Sequence, residues 1–199
     1  MKTAFISILI PILFLSSKTF AQKDFSGGLL LGISASQIDG DNQYKYKKPG
    51  LILGAYVNRP LTKHGSLKIE SYYIGKGAVL NEDRTDGTTI QVFNTSLHYV
   101  EMPFLFNLQV HPKIDIAAGI APSYLFASKL TSYKALVEKS SYTLKQFDFQ
   151  PIVEAGFYLT DKITTNLRLA YSLFNIRKDP MAIWYNNNLS LVFMYKLNK

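Results

Sequence analysis

The feature that most constrains this chain is a repeated alternation of apolar and polar residues, interrupted by turns. Beyond residue 24 there are eight segments of about ten residues in which every second side chain is apolar. Because successive side chains of a β-strand point to opposite faces, each segment predicts a strand with one apolar and one mixed face. The predicted strands are Phe25–Ser36, Pro49–Asn58, Ser66–Lys76, Ile90–Leu108, Ile114–Ala127, Phe147–Leu159, Thr164–Asn175 and Tyr185–Leu197.

The charged residues within these segments all fall on the mixed face. They are Lys68, Glu70, Lys76, Glu101, Asp115, Asp148, Glu154, Arg168 and Lys196. An Arg or Lys that faces lipid at mid-depth costs roughly 2–4 kcal/mol, so a lipid-facing surface requires this exclusion of charge. The alternative is a soluble, lipocalin-like ligand-binding barrel with its apolar face turned inward, because alternation alone does not say which face meets solvent.

Three further features favour the membrane. The mixed face is rich in Gly, Ala and Ser, which suits the crowded inside of a small barrel. Aromatic residues lie toward both ends of the apolar face, as in interfacial girdles. The links alternate between short turns (58–65, 109–113, 160–162) and longer polar loops (37–48, 79–89, 129–146, 177–183). Together they predict an all-β, eight-stranded antiparallel up-and-down transmembrane β-barrel in the outer membrane of a Gram-negative bacterium, with both termini in the periplasm.

The first segment predicts export. Residues 1–21 have a basic start at Lys2, an apolar run from Ala4 to Leu15 and a small-x-small pattern at Thr19-Phe20-Ala21, which indicates a cleavable signal peptide. Residues 22–199 would then form one outer-membrane barrel domain.

The formal charge of +8 is spread along the chain. Its densest run, Lys45-Tyr46-Lys47-Lys48, stops at Pro49 and is too short for a nucleic-acid footprint, so no nucleic-acid partner is expected. The expected partners are outer-membrane lipid, lipopolysaccharide and proteins of the outer membrane or periplasm. The absence of cysteine excludes thiol catalysis, and no cofactor is expected.

Inward-pointing charges are the candidate site. Because an unpaired buried charge is costly, six charged residues of the mixed face are predicted to pair with one another in a network inside the barrel. They are Lys68, Glu70, Glu101, Glu154, Arg168 and Lys196. No metal site is predicted, since His64, His98 and His111 lack ligand spacing. Ser96 and His98 share the outward face, which leaves a lipid-modifying enzyme as a lesser alternative, although no acid accompanies them.

Two short motifs resemble a known family. Glu70, Tyr73, Lys76, Gly77 and Ala78 fit the pattern E-x-x-Y-x-x-K-G-A, and Tyr99-Val100-Glu101-Met102-Pro103 resembles Y-L-E-I-P. Both patterns are typical of PorT-like outer-membrane barrels, a resemblance that Gly28, Gly32 and Gly156 also fit and that covers nearly all of residues 22–199. It implies a barrel in the outer membrane and, from the member that gives the family its name, a part in protein secretion. The chain departs from many such barrels by ending Leu197-Asn198-Lys199 instead of on an aromatic residue.

These observations predict a small, non-enzymatic outer-membrane barrel with a closed, charge-filled interior. It would act as a structural or interaction module, and a protein-secretion accessory is the role that the resemblance suggests.

Overall fold

The computed structural model describes residues 25–40, 46–83, 89–132, 143–179 and 183–197. The predicted signal peptide, residues 1–21, lies outside these ranges. The described strands are β1 (Ser26–Asp39), β2 (Lys48–Pro60), β3 (Gly65–Asp83), β4 (Thr89–Glu101), β5 (Phe104–His111), β6 (Ile114–Ser132), β7 (Phe147–Tyr158), β8 (Ile163–Tyr171) and β9 (Tyr185–Lys196). Among the described residues, no helix has the length and apolar character needed to cross a membrane.

The strands close into a single antiparallel barrel. Apart from β4 and β5, which do not pair with each other, each strand pairs with its neighbours in sequence, and β1 pairs with both β2 and β9, which completes the ring. β4 and β5 together make one pass, because both pair with β3 on one side and with β6 on the other. The barrel wall therefore consists of eight antiparallel passes of the chain. The predicted eight-stranded antiparallel barrel is confirmed.

The fourth pass is broken at Met102 and Pro103, which the sequence analysis did not predict. Proline has no backbone N–H and cannot donate to a ladder. Its carbonyl still accepts a hydrogen bond from the Glu70 amide at 3.0 Å, and the Met102 amide donates to the Pro122 carbonyl at 2.9 Å. The two neighbouring strands therefore remain joined across the break.

The two faces of the wall have opposite character. The inward side chains are buried and include most of the charged residues of the strands. The outward side chains are large and apolar, such as Leu31, Leu53 and Leu167, and each is more than half exposed. A soluble barrel buries its apolar face, so this arrangement is that of a barrel surrounded by lipid.

The connections define two ends. Residues 61–64, 112–113 and 159–162 form the short-turn end, which also holds the start of β1 and the end of β9. The ends of β1, β3, β6 and β8 lie at the opposite end, which we call the long-loop end. There β3 and β6 run on to Asp83 and Ser132, so the predicted loop starts at residues 79 and 129 are wrong. The extension of β3 pairs with β4 through backbone hydrogen bonds. Backbone pairing does not require apolar side chains, so the polar residues that predicted a loop are compatible with a strand.

Candidate functional site

The lumen at mid-height holds a neutral cluster of four charges. Arg168 on β8 contacts Glu70 on β3 (Nη2 to Oε1, 2.9 Å) and Glu154 on β7 (Nη2 to Oε2, 2.6 Å; Nε to Oε2, 3.0 Å). Lys68 on β3 lies 3.3 Å from Glu70 and pairs directly with Glu154. Every member is at most 5% exposed. Two cations therefore balance two carboxylates, as buried charges require.

A second cluster lies beside it, toward the long-loop end. Lys76 contacts Glu101 at 2.5 Å and donates to the amide oxygen of Gln150 at 2.7 Å. Glu101 also accepts hydrogen bonds from the hydroxyls of Tyr72 and Ser123, each at 2.9 Å. The two motifs that carry the family resemblance thus meet inside the barrel, since Lys76 belongs to one and Glu101 to the other.

Gly77 has a backbone conformation that suits the crowded wall next to Lys76. Its φ of +141° lies in a region that side-chain-bearing residues rarely adopt. A Cβ there would lie 1.9 Å from the Thr95 carbonyl oxygen of β4. The glycine of the motif therefore allows β3 and β4 to approach closely beside the Lys76–Glu101 pair.

Neutral polar groups extend this cluster around Asp148. The carboxylate oxygen Oδ2 accepts hydrogen bonds from Gln150 Nε2 (2.6 Å), Ser172 Oγ (2.7 Å) and Asn186 Nδ2 (2.9 Å). Asn186 also bonds the Tyr99 hydroxyl at 3.1 Å. Three donors therefore stabilise a carboxylate that has no ion pair with any described residue.

Tyr72 links the two clusters. The Arg168 guanidinium lies 5.4 Å from the centroid of the Tyr72 ring, and the hydroxyl of the same ring reaches Glu101. The charged and hydrogen-bonded side chains therefore form a continuous layer across the lumen. An eight-stranded barrel is only wide enough for side chains to fill its interior.

The lumen differs at its two ends. At the long-loop end Ile38, Ile176 and Trp184 are buried and pack in one apolar cluster with Leu144 beside them. The Arg177 guanidinium lies 4.9 Å from the Trp184 ring centroid and covers it. Buried apolar side chains therefore line the lumen at this end.

The short-turn end holds a polar cavity of about 140 Å³. Its wall includes Asn58, Asn107 and Asp115, each with a buried oxygen that has no hydrogen-bond partner within the described ranges. A polar space of this size suits water. The apolar cluster, the charged layer and this cavity therefore follow one another along the barrel axis.

Four of the six predicted network residues, Lys68, Glu70, Glu154 and Arg168, lie in one cluster. Glu101 belongs to the second cluster, and Lys196 lines the polar cavity without an ion pair to any residue the structure describes. Lys76 and Asp148 were placed on the mixed face but left out of the predicted network. Tyr72, Gln150 and Asn186 were missed, and their inward parity was the signal that could have found them.

The outward Ser96 and His98 have separate partners. Ser96 Oγ accepts a hydrogen bond from Lys48 Nζ, and His98 Nδ1 lies 2.7 Å from the Tyr73 hydroxyl. His64 and His111 lie at the short-turn end. In the part of the chain that the structure describes, no carboxylate orients His98, and no three His, Asp or Glu side chains are grouped to hold a metal.

The comparisons with known proteins agree with this architecture. The family described as "Outer membrane protein beta-barrel domain" matches residues 20–178. No curated protein sequence matches the chain.

Two solved structures are similar in fold. The chain is similar to Neisserial surface protein A, with 9% identity and a TM-score of 0.53, over 87% of this chain and 97% of that one. It is also similar to Ail, the attachment invasion locus protein of Yersinia pestis, with 9% identity and a TM-score of 0.50, over 87% of this chain and 99% of that one. At these identities the likeness concerns the fold alone. With a closed barrel, an apolar outer face and a family match over most of its length, this chain belongs to the outer membrane protein β-barrel domain family and is an outer-membrane protein.

Proposed function

We propose that the protein is a closed, non-enzymatic barrel of the PorT-like type that serves as a structural or interaction module and not as a pore. The observation that supports this proposal is the layer of paired charges across the lumen. A pore needs a continuous water path, whereas here Arg168, Glu70 and Glu154 are buried and bonded to one another. The apolar cluster around Trp184 adds a second barrier.

The proposal includes an orientation. Outer-membrane barrels have short periplasmic turns and longer external loops. The short-turn end and both termini would therefore face the periplasm, and the long-loop end the outside. The polar cavity would open to the periplasm. A module of this kind has protein partners in the outer membrane or periplasm, and the secretion accessory implied by the resemblance is one form of it.

The closed lumen predicts an absence of ion conduction. Purified, folded protein inserted into a planar lipid bilayer is expected to give no stable single-channel steps, because the charged layer leaves no water path. The control is a water-filled porin in the same bilayer, and heat-modifiable gel migration verifies that the barrel is folded. Reproducible conductance steps from the wild-type protein would contradict the proposal.

A further inference from the structure

The outer face of β4 carries a group of polar side chains toward the long-loop end. From Val100 toward the long-loop end, the outward-facing residues of β4 are His98, Ser96 and Asn94. All three are half-buried, in contrast to the exposed apolar residues nearer the middle of the barrel. They lie toward the long-loop end, where lipid headgroups replace acyl chains at a barrel wall.

Lys48 on β2 reaches this group across a neighbouring strand. Its Nζ donates hydrogen bonds to Asn94 Oδ1 and Ser96 Oγ, both at 2.7 Å. β3 lies between β2 and β4 in the sheet, and Gly77, the β3 partner of Ser96, has no side chain there. The lysine is therefore held in place by two neutral oxygens.

Lys48 has no carboxylate partner among the side chains that the structure describes. An ammonium has three donors, and two of them are used by Asn94 and Ser96. The ammonium therefore has one donor left for a ligand. A second cation, Lys129, is the cross-strand partner of Ser96 on β6, is exposed and also lacks an ion pair to a described residue. Two cations without a carboxylate partner among the described side chains thus lie on either side of Ser96 in the sheet.

Aromatic rings lie directly below these cations. Tyr73 stacks on His98 with ring centroids 5.9 Å apart, and Phe126 lies about as close to both rings. The Tyr73 hydroxyl is bonded to His98 Nδ1, while Nε2 has no partner among the residues described. This surface combines donors and positive charge above with ring faces below, which suits an amphiphile whose acidic head lies above its acyl chains.

We infer that Lys48, Ser96, His98 and Lys129 form a binding site for the phosphates of a lipid A-type glycolipid of the outer leaflet. Lys48 and Ser96 would contact one phosphate, Lys129 a second, and the Tyr73–Phe126 rings would contact the first acyl carbons. Two cations match a headgroup with two phosphates better than one with a single phosphate. The inference deepens the proposed function and rests on its orientation, which places the long-loop end in the outer leaflet.

Native mass spectrometry of the folded full chain in non-ionic detergent tests the site, with diphosphorylated lipid A as the probe. Lys48→Met is expected to weaken lipid A binding about ten-fold, since it removes a charge-assisted hydrogen bond. Ser96→Ala is expected to weaken it less. The matched control is Lys113→Met, which removes the same charge from an exposed turn at the opposite end and should leave binding unchanged. Heat-modifiable migration verifies folding of each variant.

Three results would overturn the inference. If Lys48→Met binds lipid A as the wild type does, or if Lys113→Met loses as much affinity, the site is not where we place it. If phosphatidylglycerol, with one phosphate, binds as tightly as lipid A, the two-phosphate assignment is wrong. Binding in detergent does not depend on lumen closure or on orientation in the cell. A conducting barrel with intact lipid A binding would therefore contradict the proposed function and leave the site standing.

Discussion

Replacing Arg168 with methionine is expected to lower the free energy of unfolding by about 3–5 kcal/mol. The change removes the group that bonds both Glu70 and Glu154 and leaves two buried carboxylates facing one cation, Lys68. Removing one partner of a buried ion pair costs this much because the remaining charge stays desolvated. Urea unfolding in detergent, followed by the fluorescence of Trp184, the single tryptophan of the chain, measures the change.

Two further variants make this result specific. Glu70→Gln added to Arg168→Met restores neutrality and should recover part of the lost stability. Lys113→Met removes an exposed charge and should change stability by no more than about 0.5 kcal/mol. If Arg168→Met proves as mild as Lys113→Met, the charged layer does not hold the barrel together.

Adding an arginine on the outer face of β8, one residue from Arg168, should also destabilise the barrel strongly. Leu167 lies at the centre of the strand and is 53% exposed on the outer face. Leu167→Arg is expected to destabilise the barrel by about 2–4 kcal/mol in a lipid bilayer, because the charge would enter the acyl-chain region. Urea unfolding of the protein in lipid vesicles measures this cost.

The matched control is Leu159→Arg. Leu159 is similarly exposed on the outer face, but it is the first residue of the turn 159–162, where water and headgroups are close. Its cost should be about 0–1 kcal/mol. Equal costs at the two positions would mean that the outer face does not cross a bilayer.

Alternation in the sequence predicted which way the strand residues point, because side-chain parity is a local property of extended backbone. It placed Glu70 and Arg168 inside and Leu167 outside without knowledge of their neighbours. It could not pair Glu70 with Arg168, since β3 and β8 are not adjacent in the sheet. That contact depends on the stagger of all the strands around the closed barrel, which parity does not specify.

Strand ends were predicted less well than strand centres. The pairing of β3 with β4 continues above the apolar band to Asp83 and Thr89, where the sequence pattern gives no strand signal. The break at Pro103 was also missed, because the apolar alternation runs through it unchanged. Lys48 was placed in the predicted loop 37–48, because nothing in the local sequence shows that its side chain reaches Ser96 on another strand.

The central claim is that the apolar face of this barrel meets lipid acyl chains. The chain has no cysteine, so a single cysteine in place of Leu31, at the middle of β1, can carry a fluorescent label without interference. A label at His64, in a short turn, is the control. In bilayers of lipids with brominated acyl chains, the label at residue 31 should be quenched and shielded from aqueous iodide, and the label at residue 64 should show the reverse. A label at residue 31 that iodide quenches and brominated lipid does not would contradict the account.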